Sequence, residues 1–221
     1  MRKLLTIFFI LIVFIGIAQN SNKKRVLVIP PSRFEFMSKY SLEEIAEKNE
    51  SSASEVFVLY EKALLNSFSN YKDENFEFVP VEAGLLQPYK KLIKYEYGKF
   101  NGKRYNAVNL NGFSKKEFTQ LLEQQNADFV IFITWYTIEK ESFTRKGKHS
   151  KRTTYAGHYM DYAIYNLFKE QLVGLAKVKA EANEPNDLEA SFSLLRTIEL
   201  GSAYNNFIYK IVEQLSKPIK Q

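Results

Sequence analysis

A chain of 221 residues with 45% hydrophobic and 25% charged side chains has the composition of a globular protein, not of a disordered or fibrous one. It contains no cysteine, which excludes disulfides and thiolate metal sites and leaves packing alone to hold the fold. The net charge of +6 is unevenly spread: residues 140–152 carry six cations, Lys140, Arg145, Lys146, Lys148, Lys151 and Arg152, against one anion, Glu141.

The first residues predict an export leader. Arg2 and Lys3 form a positive n-region, residues 4–15 an apolar run, and Gly16-Ile17-Ala18 a small-x-small cleavage site. The run is shorter than the roughly 18–20 residues needed to span a bilayer. We therefore expect a signal peptide over 1–18, cut after Ala18, and one α/β domain over 19–221 that is periplasmic or secreted. A leader kept as a single anchor is the alternative. Gln19 stands where a lipoprotein has its lipid-modified cysteine, so no lipid anchor is expected there. The next apolar window, 129–133, is strand-sized, and no transmembrane segment is expected after cleavage.

Residues 26–29 form an apolar run closed by Pro30-Pro31, the pattern of a strand buried on both faces. Ser41-Leu42-Glu43-Glu44 is a capping box that opens a short helix. A longer helix is predicted over 54–70, with Val56, Leu59, Tyr60, Ala63, Leu64 and Phe68 in one stripe. Residues 76–81 read as a strand that Pro80 confines to a sheet edge or a bulge. Asn101-Gly102, flanked by Tyr95, Tyr97, Phe100, Tyr105 and Val108, predicts a hairpin with a primed turn. Ser114-Lys115-Lys116-Glu117 is a second capping box, and Phe118, Leu121 and Leu122 face inward from its helix.

A central strand follows over 127–134, then the basic segment, read as a loop. Residues 153–168 and 171–182 predict two long antiparallel strands. The second places Leu172, Gly174, Ala176, Val178 and Ala180 on one face, with Lys177, Lys179 and Glu181 on the other. A helix over 202–216, possessing the stripe Ala203, Tyr204, Phe207, Ile208, Ile211, Val212 and Leu215, ends before Pro218. The expected fold is α/β, with α+β the neighbouring class: a two- or three-layer domain whose mixed sheet has a β-α-β-α-β part, a long hairpin and a C-terminal helix.

This order of elements resembles the α/β domains of exported envelope proteins, the curli-secretion lipoprotein and the N-terminal domain of TolB-like proteins. The pieces that match are the strand over 25–29, the helix through Leu64, the strand over 127–134 after a capped helix, the hairpin over 153–182 and the last helix. The resemblance is one of topology, and no functional residue is carried over. Gln19 departs from the lipidated cysteine of the curli group.

Catalytic constellations are absent from the sequence. His149 and His158 are the two histidines, which excludes a histidine-rich zinc site. His158 and Asp161 lie three apart on a predicted strand and so on opposite faces, which separates them as a dyad. No Gly-x-Ser-x-Gly, P-loop or Gly-x-Gly-x-x-Gly pattern occurs. Hence no catalytic, metal or cofactor-binding residue is assigned, and no cofactor is expected.

Glu96 with Glu139 or Glu141 could form an acid and base pair if the fold brings them together. Aromatic residues reach 15%, and Trp135, Tyr136, Tyr155, Tyr159, Tyr162 and Tyr165 cluster around the third strand and the hairpin. They read either as a platform for a glycan or protein or as cross-strand pairs within the sheet. The basic segment reads either as a docking surface for an anionic envelope surface or as a solvated stretch. Asn49-Glu50-Ser51 is an N-glycosylation triplet. The candidate binding surface is thus Trp135, Tyr155, Tyr159 and Tyr162 with the six cations. The leading expectation is an exported non-enzymatic interaction module for an envelope protein or glycan, with no nucleic acid partner. An envelope-polymer hydrolase with paired carboxylates and a small lipid- or glycan-binding domain are the alternatives.

Overall fold

Val26 and Val28 of strand β1 (Lys24–Ile29) are buried in one core and Leu27 and Ile29 in another, which makes β1 a strand covered on both faces. In this computed structural model, which describes residues 23–145, 151–181 and 194–217, β1 pairs in parallel with β3 (Phe76–Pro80) and with β6 (Phe129–Arg145). The three-residue β2 (Phe36–Ser38) also runs parallel to β6, farther along it. β7 (Lys151–Asn166) and β8 (Gln171–Lys179) complete a mixed sheet in the order β3-β1-β6-β7-β8. Pro80 lies on the edge strand, where its missing amide does not interrupt the interior ladders.

Helices α1 (Leu42–Lys48), α2 (Val56–Asn70) and α5 (Gly201–Leu215) cover one face. In α2, Val56, Tyr60, Leu64 and Phe68 repeat every four residues and are all buried. The short α3 (Ala83–Leu86), α4 (Lys115–Gln124) and a separate hairpin, β4 (Lys94–Phe100) with β5 (Lys103–Asn109), cover the other face. The fold is therefore α/β in three layers, the third part helix and part ribbon. Asn101 and Gly102 take φ of 49° and 78°, the left-handed pair that a primed hairpin turn requires. Around Ser114 the capping box is complete, whereas at Ser41 only the hydroxyl half forms. There Glu44 turns away, and its carboxylate lies 3.7 Å from Lys140 Nζ.

Three expectations need correction. First, the segment over 140–152 is not simply a loop: β6 and β7 stay paired from Phe129↔Asn166 to Arg145↔Lys151, so its described parts are the far end of a ribbon. Backbone pairing can continue there because the β-forming residues Phe143, Thr144, Thr153, Thr154 and Tyr155 stand among the charges. Second, β8 does not keep one apolar face. A register shift lies opposite Met160 and Tyr162, and Lys177 takes φ of 48°. Val173 and Leu175 therefore share the helix-side core with Val178 and Ala180, while Gly174 and Ala176 do not. Third, Glu181, expected on the solvent face, is buried.

The leader, Lys146, Lys148 and His149 lie outside the described residues. Among the described residues no helix is long and apolar enough to cross a membrane.

Candidate functional site

A cleft of about 1250 Å³ opens between the β4–β5 hairpin and the β6–β7–β8 part of the sheet. Its floor comes from alternate residues of β6 (Trp135, Thr137, Glu139, Glu141), from Tyr159 and Asp161 of β7, and from Ala176 and Lys177 of β8. The β6 register shifts between Ile133 and Trp135. That bulge puts Trp135 on the cleft face although Ile133 and Tyr136 both pack under the helices.

The opposite wall, Tyr97, Gly98, Lys99, Arg104, Tyr105 and Asn106, belongs to the hairpin. Gly174 lets the hairpin approach this closely, since a Cβ there would sit 2.7 Å from Phe100 Cβ and 2.9 Å from Tyr105 Cζ. Gln171 donates from Nε2 to the Tyr105 hydroxyl at 2.5 Å, and Thr134 donates to the Asn106 carbonyl.

Asp161 clamps wall to floor. Its Oδ2 accepts from the Asn106 amide at 2.9 Å and from Asn106 Nδ2 at 2.8 Å, while Oδ1 accepts from the Lys177 amide at 2.8 Å. With 3% of its surface exposed, it is a buried carboxylate satisfied by three neutral donors. Glu141, farther along the floor, accepts from Tyr159 Oη and Lys179 Nζ. Burial lowers the Lys179 pKa, but the bonds to Glu141 and Tyr155 outweigh it and raise the net value.

Gly157 makes room for that ion pair: a Cβ there would lie 2.8 Å from Glu141 Cδ and 3.1 Å from its Cγ. Gly157→Ala is expected to push Glu141 off Lys179 at a cost of about 1–2 kcal/mol. In urea unfolding, adding Glu141→Gln to that variant should then cost nothing more.

On the helix side of the sheet lies a second, closed polar group. His158 Nε2 is 2.7 Å from the Leu194 carbonyl, which can only accept, so Nε2 carries the hydrogen and Nδ1 accepts from Tyr136 Oη at 2.7 Å. Tyr136 in turn accepts from Tyr204 Oη at 2.9 Å. Burial holds the His158 imidazole down at about 4, so it is neutral, and its 4.0 Å contact with Glu181 is not an ion pair. Burial pushes the Glu181 carboxyl up to about 7. All four side chains of this group, Tyr136, His158, Glu181 and Tyr204, are buried.

The sequence-predicted residues divide accordingly. Trp135 and Tyr159 line the cleft. Tyr155 and Tyr162 do not belong to an exposed platform: Tyr155 is 2% exposed, with Lys179 Nζ 5.1 Å from its ring centre, and Tyr162 is fully buried, edge-on to Phe207 at 5.6 Å. Lys140 borders the cleft, yet its ammonium lies 4.5 Å over the Tyr40 ring and pairs with Glu44. Arg145, Lys151 and Arg152 belong to the end of the β6–β7 ribbon. Of the three carboxylates weighed as a pair, Glu139 and Glu141 line the cleft and Glu96 does not.

Asn49 is not a free acceptor for a glycan: its side chain donates to Ile45 O and Leu195 O at 2.8 and 2.7 Å and accepts from the Thr197 amide at 2.8 Å. Lys99, Arg104, Asn106, Asp161 and Lys177 were missed in the sequence. Asp161 alone left a signal, as a lone acid inside an apolar strand. Among the described residues no group of three or more His, Asp or Glu side chains is arranged to hold a metal ion.

No family model matches the chain, and no curated protein matches it. Among solved structures, the chain is similar to a neuraminyllactose-binding hemagglutinin homolog from Helicobacter pylori, at 11% identity and TM-score 0.42, over 89% of this chain and 85% of that one. It is also similar to a hypothetical protein from Chlamydia trachomatis, at 9% identity and TM-score 0.35, over 88% of this chain and 98% of that one. These are weak fold-level resemblances, and neither structure bears the name of a curli-secretion or TolB-like protein. At such TM-scores they carry no functional argument.

Proposed function

We propose that this chain is an exported, non-enzymatic binding module that seats a saccharide in the cleft between the hairpin and the sheet. The observation that carries this reading is the set of aromatic rings in one open cleft, Trp135 from the floor and Tyr97 from the wall with Tyr159 beside them, interleaved with polar side chains. Sugar rings present flat C–H faces that stack on such rings, while amide and charged groups fix the hydroxyls. Export to the periplasm or medium rests on residues 1–18, and N-terminal sequencing of the mature protein tests it. The order of elements supports kinship with curli-secretion and TolB-like envelope domains.

Hydrolysis by paired carboxylates fits the geometry less well. Glu139 and Glu141 are two apart on one strand, so both approach a ligand from the same side instead of flanking a scissile bond. Glu141 and Asp161 already spend their oxygens on Lys179, Tyr159, Asn106 and Lys177.

Trp135 is the chain's one tryptophan, so its fluorescence reports the cleft alone. Titration with an oligosaccharide panel is expected to shift that emission without turnover. Trp135→Ala, followed by calorimetry, should weaken binding about tenfold, the effect of losing roughly 1.4 kcal/mol of stacking. Silence across the panel, or release of shortened products, would overturn the reading.

A further inference from the structure

Resting on the cleft reading above, we infer that the saccharide this site takes is acidic, bearing carboxylate groups on its rings. The cleft's carboxylates are largely consumed by the protein. Asp161 accepts from three N–H donors and is buried, and Glu141 is held by Lys179 and Tyr159. Of its cations, Lys140 is held by Glu44 and the Tyr40 ring, but three others are not consumed. Lys99, Arg104 and Lys177 are exposed and, among the described residues, have no carboxylate within ion-pair distance. Glu139 is the carboxylate left open to a ligand.

Lys99 and Arg104 are, moreover, direct cross-strand partners in the β4–β5 register. Like charges placed opposite each other destabilise a two-stranded ribbon unless an anion lies between them. Lys177 is set by the β8 bulge, where its amide is committed to Asp161 while its ammonium remains available. A ligand entering between hairpin and sheet thus meets cationic donors from two sides and aromatic faces below. Neutral sugars would offer the cations hydroxyls alone, whereas a uronate adds charge-assisted bonds, which are roughly twice as strong as neutral ones.

The test is calorimetric titration of the full mature chain with oligomers of galacturonate, mannuronate and glucuronate, each beside its carboxyl-reduced counterpart, and with hexaglutamate. At low salt at least one uronate oligomer is expected to bind about fivefold or more tighter than its reduced form. That margin should shrink as salt rises from about 0.05 to 0.5 M, where the screening length falls to a few ångströms. The R104Q/K177Q variant should bind the uronate no more tightly than its reduced form, and an unchanged urea midpoint would show that the variant is folded.

Equal binding of acid and reduced forms would overturn the inference and leave the cleft reading standing. Binding of none of the sugars would overturn both. Hexaglutamate binding as tightly as the best uronate would show that the site reads charge without sugar rings, and would also overturn the inference.

Discussion

Asp161→Ala is expected to lower the unfolding free energy by about 3 kcal/mol and to part the hairpin from the sheet. The carboxylate is the acceptor for two backbone amides, those of Asn106 and Lys177, and for the Asn106 side chain. Removing it leaves buried donors without partners, each costing about 1–3 kcal/mol, part of which water entering from the cleft offsets. No alternative acceptor lies in the ladders, because the Lys177 amide sits at the β8 register shift and Asn106 belongs to a separate sheet. Asp161→Asn should cost less than alanine but clearly more than nothing, since one of the two oxygens becomes an NH2 group facing a donor. Urea unfolding with an unchanged slope would give the stability, and red-shifted Trp135 emission in the folded variant would report the opened wall. Wild-type midpoints in both variants would mean that the clamp contributes nothing.

The residues of this clamp also mark where sequence reasoning stops. Strand β1, the Asn101-Gly102 turn and the Ser114 capping box are legible because each depends on neighbours within a few positions. A bulge is different, since it is fixed by the partner strand. The shifts near Trp135 and Lys177 swap the faces of everything beyond them, so strict alternation assigned Gly174 and Ala176 to the wrong side. Alternation did contain one unused warning. Tyr155 and Tyr159 have the same parity along β7 and Tyr162 the opposite one, so the three could not have formed a single platform. Asp161 stood out as an acid in an apolar run, but its donors lie 55 residues before it and 16 after it, and only the fold unites them.

The Glu181→Gln variant is expected to show a stability that climbs more steeply from pH 4.5 to 6.5 than that of the wild-type protein. Two buried groups oppose each other over this range. His158 titrates at 6.5 when unfolded and is held at about 4 by burial, so its contribution is complete above pH 6.5 and is lost as the pH falls through 4. Glu181 titrates at 4.5 when unfolded and is pushed up to about 7, again by burial, so its contribution is complete below pH 4.5 and is lost as the pH rises through 7.

Each displacement corresponds to about 3 kcal/mol, and between pH 4.5 and 6.5 the two slopes have opposite sign. Glutamine keeps an acceptor for the His158 amide, which Glu181 Oε1 serves at 2.8 Å, and removes the ionisation, leaving His158 to act alone. The variant should therefore gain on the wild type steadily as the pH rises from 4.5 to 7. The difference should level off above pH 7, at up to about 3 kcal/mol less the cost of burying the carboxamide. Urea unfolding at half-unit pH steps measures this, and parallel curves for the two proteins would refute it. Because the cleft lies on the other face of the sheet from His158, the saccharide binding proposed above should be the same in this variant and the wild type at pH 7, which separates the stability of the core from the chemistry of the site.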